Sequence, residues 1–294
     1  MGDEQLVWFN GKVLPMSQVH IGVEDRGFQF ADGVYEVVTI IGGKLVDEKG
    51  HLDRLARSLN ELHIAWPVAP HVLKLLMREL IRRNGVTQGT IYLQITRGVA
   101  PRDFKFPKHS RSALVMTTRR TAAFATPQQL EQGVKVITIP DIRWLRRDIK
   151  SVALLPQVLG KQQAVEAGAF EAWQLDPDGM ITEGCSSNAW IVTAEGTLVT
   201  RFPSNLILNG VTRLSILRLA AEAGIPFEER SFSLEEAYAA REAFVSSAST
   251  FVMPVTQIDD RVVGNGKPGL LSERLRKAYL DYAQRTDAQG AGDA

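Results

Sequence analysis

The chain has 294 residues, 45% hydrophobic and 23% charged, the composition of a globular protein with room for roughly two domains and a sizeable core. Lys and Arg number 34 against 33 Asp and Glu, so no broad charged footprint speaks for nucleic acid or a membrane surface. One cysteine, Cys185, excludes an internal disulfide, and the five histidines (His20, His51, His63, His71, His109) fall at no metal-ligand spacing, so no metal is expected.

In chain order, the acidic start Met1-Gly-Asp-Glu lacks the apolar run of a secretory signal, and no segment nears the ~20 apolar residues of a membrane span; the expected setting is the cytoplasm. Val7-Trp8-Phe9 and Lys12-Val13-Leu14 flank Asn10-Gly11, a hairpin signal because both turn residues tolerate positive φ. A second hairpin runs through 34–41, Gly42-Gly43 and 44–46. Leu52, Leu55, Leu59 and Leu62 recur at helical spacing, and a second helix spans 72–83, stopping at Asn84-Gly85. Ile91, Leu93 and Ile95 alternate with polar residues as a half-buried strand, and 112–118 reads as another. Strands around helices without repeated βαβ units predict an α+β domain over 1–120.

Residues 121–132 read as a linker and 133–294 as a second domain. There, 134–139 alternates as a strand and 157–167 is helical up to Gly168. Three short strands follow, broken by Asp176-Pro177-Asp178-Gly179 and Ala194-Glu195-Gly196. Helices are predicted over 212–223, from the capping box at Ser233-Leu-Glu-Glu236, and over 271–283, with a short strand at Phe244-Val245 and a frayed tail over 286–294.

Four stretches have the residue types that chemistry needs, and each also has a plain structural reading. Lys150 lies where Asp148-Ile149-Lys150-Ser151 turns apolar; burial, and Arg146 and Arg147 if they face it, would depress its pKa toward what Schiff-base chemistry requires, but a snorkelling lysine fits too. Thr182-Glu183-Gly184-Cys185-Ser186-Ser187-Asn188 is either a surface turn or a carboxylate aimed at a heterocyclic nitrogen. Leu208-Asn209-Gly210-Val211-Thr212 leads into a helix whose first amides attract phosphate, and Ser246-Ser247-Ala248-Ser249-Thr250 offers further donors; both are also ordinary turns. The run 24–36, dense in charges, glycines and aromatics, is either a packed turn or the wall of a pocket.

Taken together in this order, Glu-Asp-Arg-Gly-Phe-Gln-Phe-Ala-Asp-Gly-Val-Tyr-Glu, His-Leu-Asp-Arg-Leu, Thr-Arg-Gly-Val-Ala-Pro-Arg, Asp-Ile-Arg-Trp-Leu-Arg-Arg-Asp-Ile-Lys-Ser, Thr-Glu-Gly-Cys-Ser-Ser-Asn and Asn-Gly-Val-Thr-Arg resemble the fold-type IV pyridoxal 5′-phosphate (PLP) enzymes, most closely the bacterial D-amino-acid aminotransferases. The resemblance spans nearly the whole chain. It implies a two-domain α+β fold, with a small N-terminal α/β domain and a larger C-terminal mixed, barrel-like domain. It implies ping-pong transfer of an amino group from a D-amino acid (D-alanine or D-glutamate) to 2-oxoglutarate or pyruvate by way of pyridoxamine phosphate. Lys150 would carry PLP and shuttle the proton, and Glu183 would pair with the pyridine nitrogen. Arg54, the Val211 and Thr212 amides and the turn at Ser247 and Ala248 would hold the phosphate, with Leu208 packed on the ring. Tyr35 and Arg102 would bind the substrate carboxylate, Arg102 coming from the partner subunit of a homodimer.

The chain departs from the family pattern at Phe104, two residues after the trapping arginine, where relatives carry a histidine; in an extended segment Arg102, Phe104 and Phe106 share a face, so a phenyl ring would replace a donor in the trap. Ala248 stands where a hydroxyl residue is usual. The neighbouring readings are aminotransferases of (R)-amines or of branched-chain L-amino acids and aminodeoxychorismate lyase; a remote one is a non-catalytic binding module.

Overall fold

A computed structural model describes residues 4–285, so the tail expected to fray, 286–294, lies outside the described residues. The chain divides into two compact units: 4–122 together with Ile149–Ala153, and Ala123–Asp148 together with 154–285.

The first unit is one antiparallel sheet backed by two helices. Strands β1 (Leu6–Phe9) and β2 (Lys12–Pro15) form the first hairpin, with Asn10 and Gly11 both at positive φ as a tight hairpin turn requires. A single 3-10 turn (Met16–Gln18) and the short helix α1 (Arg26–Phe30) precede β3 (Gly33–Ile41) and β4 (Lys44–Leu45). Helices α2 (Glu48–Glu61) and α3 (Pro70–Arg83) follow, then β5 (Gln88–Thr96) and β6 (Ala113–Arg120). The strand order is β2-β1-β6-β5-β3-β4. Leu52, Leu55 and Leu59 of α2 and Leu73, Met77 and Leu80 of α3 pack on Val34, Val38, Ile40, Ile91, Leu93 and Ile95, so the periodicities of 3.6 and 2 meet in one core.

The second unit opens with α4 (Pro127–Gln132), inside the stretch read as a linker; Thr126 and Gln129 close a capping box that makes six residues helical. Next come β7 (Val134–Pro140), α5 (Leu155–Glu166), β8 (Glu171–Leu175), β9 (Ile181–Gly184), β10 (Asn188–Val192) and β11 (Leu198–Thr200). Four strands therefore stand where three were expected, because Gly184 N donates to Ser187 O and breaks the middle one with a tight turn. Helix α6 (Val211–Glu222), β12 (Phe227–Glu229), α7 (Leu234–Tyr238), β13 (Glu242–Ser247), β14 (Phe251–Ile258), β15 (Arg261–Val262) and α8 (Leu270–Arg285) complete it.

Its sheet runs β12-β11-β10-β13-β14-β7-β8-β9, with β15 added to β14. Strand β9 ends that path, yet three residues of turn join it to β10 near the other end. The sheet is therefore curled, a partial barrel filled by Trp173, Ile181, Ile191, Val199, Phe232, Val245 and Met253. The fold is α+β, as expected. No helix among the described residues is long and apolar enough to cross a membrane, and they hold no cluster of potential metal ligands.

Candidate active site

In the first unit the site begins with the phase of β3. Val34, Val38 and Ile40 point to the helix-covered core, and so does Glu36, fully buried; Tyr35, one residue earlier, takes the opposite face. A buried carboxylate needs partners, and α2 supplies them. Arg54 Nε and Nη2 donate to Glu36 Oε1 and Oε2, both at 2.7 Å, and His51 Nδ1 lies 2.7 Å from Oε2. Burial pushes the Glu36 carboxyl up, but Arg54 and then His51 outweigh it and hold its pKa at about 2.

His51, Arg54 and Ser58 recur on one face of α2. Ser58 Oγ accepts from Lys150 N at 3.3 Å, so the same helix face that orients Arg54 also fixes the Lys150 backbone. The segment Ile149–Ala153 lies along the start of β3: Tyr35 N donates to Lys150 O and Val152 N to Gly33 O, each at 3.0 Å. The Lys150 ammonium then sits 4.3 Å from the centroid of the Tyr35 ring, a cation over a π face. Arg146 and Arg147, read as neighbours of Lys150, pair with acids of their own unit, Arg146 with Asp148 and Arg147 with Asp141.

The part of the run 24–36 that precedes β3, residues 24–32, is built around α1 and packed by polar contacts. Asp25 caps Gly27 N at 2.8 Å and accepts from Thr96 Oγ1 at 3.0 Å, and a Cβ on Gly27 would collide with Thr96 Cγ2. Asp32 sits between Arg26 and Arg97; burial opposes its charge, but the two guanidinium groups hold its carboxyl below the usual range. Arg26 Nη1 also donates to Asp103 O at 2.6 Å, tying the turn to the loop that carries Arg102. There Arg102 lies 4.7 Å over the Phe30 ring, whose centroid is 5.6 Å from that of Phe104, while Phe106 goes to Arg97. The loop is bent, not extended, so the premise of the one-face expectation is absent: Arg102 and Phe104 both reach the Phe30 ring, and Phe106 does not join them. Phe104 is 84% exposed in the single chain.

In the second unit Glu183 is the next-to-last residue of β9 and is buried. Its Oε1 accepts from Arg143 Nη1 at 2.5 Å and from Leu208 N at 3.0 Å, and its Oε2 from Asn188 Nδ2 at 3.0 Å. Burial raises the Glu183 pKa against the pull of Arg143 and the Leu208 amide. Asn188 Nδ2 also donates to Leu208 O at 2.9 Å, so Leu208 is held by both of its backbone groups. The next turn admits no side chain: a Cβ on Gly210 would collide with Asn188 Oδ1. Gly210 is the N-cap of α6 and offers no side-chain cap, so the α6 amides beginning at Val211 and Thr212 present donors and the positive end of the helix dipole. In the turn between β13 and β14, Ser247 Oγ lies 3.2 Å from Ser249 Oγ and 2.8 Å from Thr250 Oγ1, with Ala248 between them.

In the first unit Lys150 is joined to Tyr35, while Arg54 is held by Glu36 on the other face of β3; in the second, Glu183 is joined to Leu208. Sequence reasoning passed over Glu36, His51, Arg143 and Asn188. A signal existed for Glu36, a charge in the apolar phase of β3; Asn188 and Arg143 carried none beyond their place in quoted motifs.

The family model for amino-transferase class IV matches residues 33–258. The chain is 42% identical over 275 residues to a D-alanine aminotransferase of Bacillus licheniformis, covering 92% of this chain and 95% of that one. It is 40% identical over 279 residues to one of Staphylococcus epidermidis, covering 95% and 98%. Its fold is similar to that of a branched-chain amino acid aminotransferase of Escherichia coli, with a TM-score of 0.88 and 24% identity over 96% of this chain and 95% of that one. It is also similar to 4-amino-4-deoxychorismate lyase from Pseudomonas aeruginosa, with a TM-score of 0.79 and 25% identity over 94% and 98%.

Proposed function

The chain belongs to the class IV aminotransferases, and from that premise we propose that it is a cytoplasmic D-amino-acid aminotransferase, moving the amino group of D-alanine or D-glutamate to a 2-oxo acid such as 2-oxoglutarate or pyruvate. The observation that carries the substrate class is the 37–42% identity to D-alanine aminotransferases along almost the full chain. The cofactor of this family is PLP.

The residues present suit that cofactor. A buried carboxylate held by three donors, a glycine turn closed to any Cβ and a helix start without a side-chain cap are what a pyridine nitrogen, a ring edge and a phosphate each need. When bound, PLP supplies an electrophilic carbon that carries nitrogen between the half-reactions and a protonated ring that withdraws electrons.

The protein's part is binding, orientation and proton handling. Lys150 Nζ serves as the attachment point and then as the base and acid that moves the substrate Cα proton; its backbone, fixed by Tyr35 and Ser58, limits the arc over which that nitrogen swings. Glu183 would accept a hydrogen bond from the protonated ring nitrogen, and the Leu208 side chain would pack on the ring. Arg54, whose fork is set by Glu36, binds the phosphate with the Val211 and Thr212 amides and the turn at Ser247 and Ala248. Tyr35 and Arg102 receive the substrate carboxylate, with Arg102 acting across a homodimer.

A second reading has one observation behind it. Phe104, which packs on the same Phe30 ring as Arg102, stands where the family pattern has a donor, which favours substrates with a weaker claim on the carboxylate trap, (R)-amines among them. The test of the mechanism is Lys150→Ala: turnover with D-alanine is expected to vanish while the protein stays folded by circular dichroism, and normal turnover would overturn it.

A further inference from the structure

Glu183 ends a chain of charges that the mechanism above does not use. The Arg143 fork is divided: Nη1 reaches Glu183 Oε1 at 2.5 Å, while Nε and Nη2 grip Asp141 at 2.9 and 2.7 Å. Asp141 also accepts from Thr182 Oγ1 at 2.8 Å and faces Arg147 at 3.4 Å. All four charged side chains are buried, so the array is fixed by its own geometry.

We propose that Arg143 is a positioning residue that holds Glu183 as an anion, so that the proton shared between Glu183 and the PLP ring nitrogen stays on the nitrogen. The inference rests on the reading of Glu183 as the partner of that nitrogen. The shared proton has two resting places, giving either carboxylate with pyridinium or carboxylic acid with neutral pyridine. Burial favours the second, uncharged pair, because two desolvated charges cost more than none. Burial does push the Glu183 pKa up. Arg143 opposes that preference, since a guanidinium stays charged and donates to Glu183 Oε1 at 2.5 Å, a contact that is stronger to the anion than to the acid. A neutral ring nitrogen is a poor electron sink, so this choice decides whether the substrate Cα proton leaves readily.

The sharing with Asp141 sets the aim of Arg143 and tempers its charge. Asp141 is itself held below the usual carboxylate range, with burial overcome by Arg143, Thr182 and Arg147. Two acids and two arginines thus sum to no net charge, and the ring proton is added to a neutral array. Leu208 N and Asn188 Nδ2 contribute dipoles to the same carboxylate.

The experiment is ¹⁵N NMR of the holoenzyme reconstituted with PLP labelled at the ring nitrogen, in wild type, Arg143→Gln, Arg143→Lys and Glu183→Gln. Wild type is expected to show a protonated nitrogen. Arg143→Gln should move the signal to the unprotonated position and lower kcat about 100-fold, the scale of losing one preorganised charge, with little change in KM for D-alanine. Arg143→Lys should return the signal part of the way, because one ammonium cannot serve both carboxylates. If Arg143→Gln does not fold, Arg143→Met with Asp141→Asn removes both charges and strands no acid, and the same unprotonated signal is expected. A protonated signal kept in the Arg143 variants while Glu183→Gln loses it overturns the role of Arg143 alone. A protonated signal kept in Glu183→Gln overturns the Glu183 reading and this inference with it.

Discussion

Replacing Glu36 with Gln tests the packing logic of the first unit at one atom's cost. The side chain is fully buried and nearly isosteric with its replacement, so cavity effects are small, and what is lost is charge. In the folded protein burial alone would raise the Glu36 pKa, yet Arg54 and His51 bring it from 4.5 to about 2. At ~1.4 kcal/mol per pH unit that difference is worth about 3 kcal/mol near neutrality. Since the group is fully buried, no solvent screening discounts it, and the figure agrees with the ~3–5 kcal/mol cost of breaking a buried ion pair. The folded-state pKa is depressed, so this stability is complete above about 4.5 and is lost as pH falls through about 2. The assay is thermal unfolding of apo wild type and Glu36→Gln at about pH 7 and about pH 3. The expected result is a Tm lowered by roughly 6–12 °C in the variant at about pH 7, with the gap narrowing at the lower pH. The variant should also bind PLP more weakly, because Arg54 loses the fork that aims it. A Tm within a degree of wild type, or a gap independent of pH, would refute the assignment of that energy to the Arg54–Glu36–His51 cluster.

The remaining expectations are smaller. Phe104→His restores a donor two residues after Arg102 and is expected to lower the KM for D-alanine by an amount worth about 1–3 kcal/mol; steady-state kinetics showing an unchanged or higher KM would dismiss it. Cys185 is buried, and burial, then the charge of Glu171, pushes its thiol up to about 12. A thiol-reactive disulfide at about pH 8 should therefore release nothing from the native protein and one equivalent after denaturation. Fast release from the native state would contradict the placement of Cys185.

Much of the fold was legible because its signals were local. Asn10-Gly11 and Gly42-Gly43 demand positive φ and define two hairpins on their own. The leucines of α2 and the capping box at Ser233 likewise need no tertiary knowledge. What escaped depends on distant partners. Strand β14 holds Pro254, which disfavours a central strand, yet it lies between β13 and β7 with a register shift past Val255 that absorbs the disruption. The capping box of α4 was short enough to pass for linker. In the site, Lys150 and Glu183 were named from motifs, whereas Arg143 acts on a carboxylate 40 residues away and Glu36 on an arginine 18 away, pairings that exist only after folding.

The most direct test of D-specific amino transfer is the visible spectrum of the purified, PLP-loaded protein before and after D-alanine, L-leucine and (R)-1-phenylethylamine, each added alone. The expected result is a yellow band bleached by D-alanine and left standing by L-leucine. No band after incubation with PLP, or bleaching by L-leucine or the amine with none by D-alanine, would contradict it.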